Sequence, residues 1–128
     1  MVRFISFLTL FFALMAADCV SMSPMEEVEY KQVQNKIETH ALQPVVKKDP
    51  EMAGALNLLP GVGNLYLKQW GPFLGNLLLW PFSPAWAVPQ AYIDANTINK
   101  QETLVYYKLG AGKDILLARE NTKTNNND

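Results

Sequence analysis

From Met52 to Ile93 the chain reads MAGALNLLPGVGNLYLKQWGPFLGNLLLWPFSPAWAVPQAYI, a run whose one charged residue is Lys68 and which is broken by Pro60, Pro72, Pro81, Pro84 and Pro89. A stretch this apolar leaves water readily. Prolines at these intervals forbid one smooth helix, because each ring removes a backbone donor and clashes with the preceding turn. The run therefore predicts a mainly α fold built on a bent, proline-bounded apolar hairpin. Between Lys68 and Asp94 there are 25 residues without formal charge. As one straight helix they would extend about 37 Å, enough to cross a hydrocarbon core about 30 Å thick. Folded back at Pro81 and Pro84 they give two legs of about 12 residues, each about 18 Å long, with Lys68 and Asp94 returned to the same side.

Three arrangements satisfy this pattern. In the first, which we favour, the hairpin dips into one leaflet. Trp70, Phe73, Leu77, Trp80, Phe82 and Trp86 then contact the membrane, with Tyr66 and Tyr92 also suited to an interface. In the second, the legs lengthen through Asn64 and Asn99 into a short two-helix span, with Asn76 and Gln90 bonded between helices. In the third, the segment is the core of a soluble helical domain and the aromatic rings merely pack. Asn64, Asn76 and Asp94 are the polar residues of the hairpin. Gly71-Pro72-Phe73-Leu74-Gly75 has the spacing of a close helix contact, weakened by its own proline. Gly61-Val62-Gly63-Asn64 lacks the strand, further glycines and lysine of a phosphate loop and reads as a plain turn.

Working outward, Ser23-Pro24-Met25-Glu26 combines a cap, a proline at the first helical position and a glutamate placed to close a capping box. Tyr30, Val33, Ile37 and Ala41 recur every three or four residues after it, giving an amphipathic helix to about Thr39–Leu42 whose face, residues 24–42, suits a protein partner. Residues 43–49 read as a linker, extended before Pro44. Asp49-Pro50 starts a helix that must stop before Pro60. Residues 64–80 predict a helix interrupted at Gly71-Pro72, and Ser83-Pro84 caps another reaching about Asn99. Thr103–Leu109 favours a strand by composition. Residues 113–120 read as a short helix, and 121–128 as a disordered tail. The expected organisation is 1–18 signal peptide, 19–49 amphipathic helix and linker, 50–120 hairpin domain, and tail.

The signal reading rests on Arg3 followed by an apolar run to Ala17, about 14 residues long and too short for a bilayer-spanning helix. Cys19 follows directly, where bacterial lipoprotein precursors are cut and acylated. The preceding Ala16-Ala17-Asp18 equally admits ordinary cleavage near Ala16, Ala17 or Ser21. The chain has 128 residues, net charge −1, one cysteine and one histidine. That balance gives no field for nucleic acid. It excludes an intramolecular disulfide and any metal site needing two imidazoles. His40 reads as a solvated helix-end residue. Asp94 is the one carboxylate tied to the hairpin, and either handles protons or bonds to Asn64 or Asn96 at a helix end. No catalytic set emerges, and we expect neither an enzyme nor a cofactor.

Residues 53–67, Ala-Gly-Ala-Leu-Asn-Leu-Leu-Pro-Gly-Val-Gly-Asn-Leu-Tyr-Leu, together with Asn76-Leu-Leu-Leu-Trp-Pro81 and Asp94-Ala-Asn-Thr-Ile-Asn-Lys100, resemble a group of small uncharacterised bacterial lipoproteins. More distantly, the Leu-Pro-Gly-x-Gly-x-x-Tyr-Leu pattern is similar to the TM2-type membrane hairpin. The resemblance implies lipidation at Cys19, export to the cell envelope and a membrane-associated hairpin contacting lipid, and brings no activity. The competing expectation is a soluble exported module that binds a small apolar ligand.

Overall fold

The computed structural model describes Ser6, Thr9 and residues 20–80 and 82–125. Among them are six helices and no strand: α1 (Pro24–Thr39), α2 (Pro50–Leu56), α3 (Val62–Tyr66), α4 (Trp70–Leu78), α5 (Pro84–Lys108) and α6 (Gly112–Asn125). The expected mainly α fold is correct. The described residues fall into two compact units, one centred on 48–96 and one built of 22–47 with 97–125, so that the division lies within α5.

In the second unit, α1 begins as its sequence dictates. Ser23 Oγ accepts from the Glu26 backbone N–H at 3.3 Å, and the Glu26 carboxylate accepts from the Ser23 N–H at 2.7 Å. Those bonds hold the Glu26 carboxyl below its ordinary range. The helix ends with Ala41 at φ 52°, while Leu42 N–H reaches Ile37 O and Ala41 N–H reaches Glu38 O. This closure satisfies the last carbonyls at the expense of a left-handed alanine. Val33, Ile37, Leu104, Tyr107 and Leu116 form the small apolar core, with Leu42 and Tyr106 against it.

Residues 43–47 form an extended strap along α5. Tyr107 Oη donates to Gln43 O (2.8 Å), Val45 N–H to Thr103 Oγ1 (2.9 Å) and Lys47 N–H to Asn99 Oδ1 (2.9 Å). Two extended residues advance about 6.6 Å and four helical residues about 6 Å, so alternate strap residues match successive turns of the helix. This pairing also explains why the expected strand at Thr103–Leu109 is instead helix. Leu104 and Tyr107 are needed three apart on one core-facing stripe, and Thr103 returns its hydroxyl to Asn99 O at 2.8 Å. Tertiary packing overrides a modest β preference. The helix expected to stop near Asn99 thus continues to Lys108, and α6 extends to Asn125, into the segment read as disordered.

In the first unit the predicted interruption at Gly71-Pro72 lies three residues earlier. Lys68 adopts φ 65°, with Gln69 N–H on Asn64 O (2.8 Å) and Lys68 N–H on Leu65 O (3.0 Å). That closure ends α3 and turns Gln69 inward. Pro72 then falls in the first turn of α4, where a missing N–H breaks no intrahelical bond. Pro89 lies inside α5, which continues past it to Lys108.

Candidate functional site

The interior of the 48–96 unit is polar. Asn57, Asn64 and Asn76 are fully buried, and Gln69 and Asp94 nearly so. Asn64 is the hub. Its Oδ1 accepts from Asn57 Nδ2 and Asn76 Nδ2, both at 2.9 Å, and its Nδ2 donates to Gln69 Oε1 at 2.9 Å. Gln69 Nε2 continues to Asp94 Oδ2 at 2.8 Å. At the other end Asn57 Nδ2 donates to Ala87 O at 2.8 Å, and Trp86 Nε1 to Asn76 Oδ1 at 3.0 Å. Carboxamides suit this chain because each carries both donors and acceptors, so every member can answer its neighbours.

Small residues let the helices approach this spine. Ala87, Ala91 and Ala95 recur every four residues on the buried side of α5, while Gly54 of α2 faces Val88 and Tyr92 and Gly63 of α3 lies against Ala53 and Asn57. A Cβ on Gly63 would lie 2.2 Å from Ala53 O and 2.7 Å from Asn57 Cγ, so only glycine permits the α2–α3 contact. The turn before α3 needs Gly61, at φ 77°, against Phe73 O.

The large apolar side chains are outside. Leu78 is 73% exposed, Phe82 76%, and Trp70 and Trp80 each 63%. Leu58, Leu59, Leu74, Leu77, Leu79, Trp86 and Ile93 are exposed as well. Of the aromatic and aliphatic residues expected to contact a membrane, Trp70, Leu77, Trp80, Phe82 and Trp86 therefore lie on the surface. Phe73 is half-buried, packed edge-on to Trp70 with ring centres 6.0 Å apart. The arrangement inverts that of a water-soluble bundle, whose helices turn their large apolar stripe inward. It matches helix packing in lipid, where small residues bring backbones together and polar side chains bond between helices.

Asn64, Asn76 and Asp94, singled out as hairpin polar residues, all belong to the spine. Asp94 differs from expectation in two respects: its partner is Gln69 rather than Asn64 or Asn96, and it sits in the interior of α5 rather than at a helix end. Burial pushes its carboxyl above the ordinary carboxylate range, while the bond from Gln69 opposes that shift. Asn57 and Gln69 escaped the sequence reading. Neither belongs to a motif, and Gln69 stood beside Lys68, the one charged residue of the 52–93 run.

Ser83 was expected to cap α5. Its Oγ is buried without a hydrogen-bond partner among the described residues, and its carbonyl instead accepts from Ala87 N–H at 2.9 Å. Cys19 and the apolar leader, apart from Ser6 and Thr9, lie outside the described residues. His40 is the C-cap of α1. A groove of about 520 Å³ crosses α2 and α5, lined by Glu51, Gly54, Ala55, Val88, Pro89, Tyr92 and Ile93.

Among the described residues no helix is long and apolar enough to cross a membrane. Nor, among the described residues, is any group of three or more His, Cys, Asp or Glu side chains placed to hold a metal ion. Comparison with known protein families, curated proteins and solved structures finds no match, so the likeness to small lipoproteins rests on the residues quoted for it.

Proposed function

We propose that this is an exported, lipid-anchored envelope protein with a structural or interaction role, attached to a membrane through acylated Cys19 and through its 48–96 hairpin unit. The observation that carries the reading is the inversion of polarity: fully buried Asn57, Asn64 and Asn76 inside, and Leu78, Trp80 and Phe82 more than three-fifths exposed outside. In water this surface is a cost, since each Å² of apolar area left exposed forgoes about 25 cal/mol. In lipid the cost disappears, and the carboxamide spine satisfies polar groups that hydrocarbon cannot. Acyl chains on Cys19 would add about 0.8 kcal/mol per buried methylene. Because Val33 and Ile37 of α1 are taken up by the core of their own unit, a protein partner would meet the exposed, charged side of that helix.

The test is metabolic palmitate labelling of the wild type and of Cys19→Ser, with flotation on vesicles. Labelling lost in Cys19→Ser, with retained flotation of that variant, supports both attachments. A mature protein beginning between residues 17 and 22 without lipid overturns the anchor, and a leaderless chain that stays monomeric without detergent and ignores vesicles overturns the hairpin contact.

One observation favours a second reading, an exported module for a small apolar ligand: the groove over Gly54 and Val88 is almost wholly apolar. That reading requires ligand binding by a detergent-free monomer, which the first does not allow.

A further inference from the structure

We infer that the 48–96 unit is a one-leaflet insert, with Leu59, Leu78, Trp80 and Phe82 at the depth of the bilayer midplane and Lys48, Glu51 and Lys68 among the headgroups. This rests on the membrane reading above and adds to it a direction and a depth.

The direction follows from contacts that order the helices along α5. At the Asp94 end, Gln69 bonds Asp94, Glu51 lines the groove with Tyr92 and Ile93, and Lys48 Nζ donates to Tyr66 O at 2.7 Å. Asp49 N–H donates to the Tyr66 hydroxyl at 3.2 Å, and Lys48 Nζ lies 4.2 Å from the centre of that ring. One turn further, Gly54 faces Val88 and Tyr92. Further again, Asn57 meets Ala87 O and Asn76 meets Trp86. Beyond that level lie the exposed Leu58 and Leu59 just past α2, Leu77 and Leu78 in the last turn of α4, and Leu79, Trp80 and Phe82 between α4 and α5. Residues 48–96 contain five charged side chains, Lys48, Asp49, Glu51, Lys68 and Asp94. All five are at the same end, and Asp94 is turned into the core.

The depth follows from α5. Pro84 to Asp94 is ten residues, about 15 Å of rise, which equals half of a hydrocarbon core about 30 Å thick. A unit apolar over one leaflet's depth and charged at a single end fits one leaflet and not two. Lys68, exposed at a left-handed turn, stands among the lipid headgroups at that end, and because Asp49 and Glu51 offset the two lysines the burial of the apolar tip, not net charge, seats the unit. The tyrosine at the same level, Tyr66, has the amphipathic character of an interfacial ring.

The chain's three tryptophans mark three levels: Trp70 beside Gln69 near the charged end, Trp86 beside Asn76, and Trp80 at the far tip. Full-length protein retaining one tryptophan, the others changed to Phe, is bound to vesicles of phosphatidylcholine and phosphatidylglycerol. These carry bromine either near the headgroup end or near the methyl end of the acyl chain. Trp80 should be quenched at least twofold more by the deep label than the shallow one, Trp70 the reverse, and Trp86 between them. Because Trp86→Phe removes a core hydrogen bond, nitroxides on Leu78→Cys and Glu51→Cys in a Cys19→Ser background give a second reading. Leu78 should favour oxygen over a polar nickel reagent and Glu51 should not. Protein that floats with vesicles but shows the same shallow profile at every level overturns the insert and leaves the membrane reading standing. Protein that does not float overturns both.

Discussion

Gln69 Nε2 donates to Asp94 Oδ2 at 2.8 Å, linking the left-handed turn at Lys68 to the interior of α5 and setting one end of a carboxamide spine whose other end is Trp86. This pair carries the unit's one buried carboxyl, and pH acts on it directly. Its native-state pKa is raised by burial, so the folded state holds the Asp94 proton more firmly than the unfolded chain. A group of this kind contributes most below its unfolded pKa, about 3.9, and the contribution is lost as pH rises through the raised native value. The 48–96 unit in detergent should therefore gain stability on mild acidification from neutral pH. Asp94→Asn should flatten that dependence and raise the neutral-pH melting temperature, and an unchanged pH profile in this variant would count against the buried carboxyl.

Asn64→Leu removes the hub. Asn76 Nδ2 and Gln69 Oε1 lose their partners in a closed interior, each at about 1–3 kcal/mol, and a larger apolar residue does not replace them. Loss of about 3–5 kcal/mol is expected in denaturant titration of the detergent-solubilised protein. Leu78→Ser, on the outer surface, should leave that titration within about 0.5 kcal/mol while weakening vesicle flotation. The two variants separate what holds the unit together from what seats it.

Gly63→Ala and Gly54→Ala should diverge sharply. At Gly63 the new methyl meets Ala53 O at 2.2 Å, a backbone atom that cannot swing aside, and about 3 kcal/mol of destabilisation follows. At Gly54 the nearest atom is Val88 O at 3.6 Å, ordinary contact, and alanine's better helix propensity should make the change neutral or stabilising by up to about 1 kcal/mol. Thermal melts of the two variants side by side check the difference.

The strap offers a similar contrast in the other unit. Thr103→Val keeps the shape but strands the Val45 N–H, and should cost about 1–2 kcal/mol with faster amide exchange at Val45. Ala41→Gly relieves a left-handed alanine and should stabilise α1 by about 1 kcal/mol, read as a higher melting temperature.

Much of this was written locally. Ser23, Pro24 and Glu26 specify the start of α1, and Asp49-Pro50 the start of α2, because capping involves residues within one turn of each other. The apolar run and its prolines specify a bent helical hairpin for the same reason. By contrast, the end of α3 at Lys68 rather than Gly71-Pro72, and the helix through Thr103–Leu109, depend on what lies across from them: the Asn64 carbonyl and spine in one case, the strap and the Val33–Ile37 core in the other.

What the sequence by itself determined is the inventory: a charge-poor run that its prolines fold into legs of about one leaflet's helical reach, with charges at its margins and a few carboxamides within it. It did not determine which of those residues point inward. Periodicity identifies faces, and assigning the apolar face to the interior presumes water outside. Only the tertiary structure, with Asn57, Asn64 and Asn76 at zero exposure and Leu78 and Phe82 facing out, decided the orientation, because Gly63 lets the backbones of α2 and α3 close around the Asn57–Asn64 pair where any side chain would collide with Ala53 O, and the buried side of α5 carries only small residues at Ala87 and Ala91.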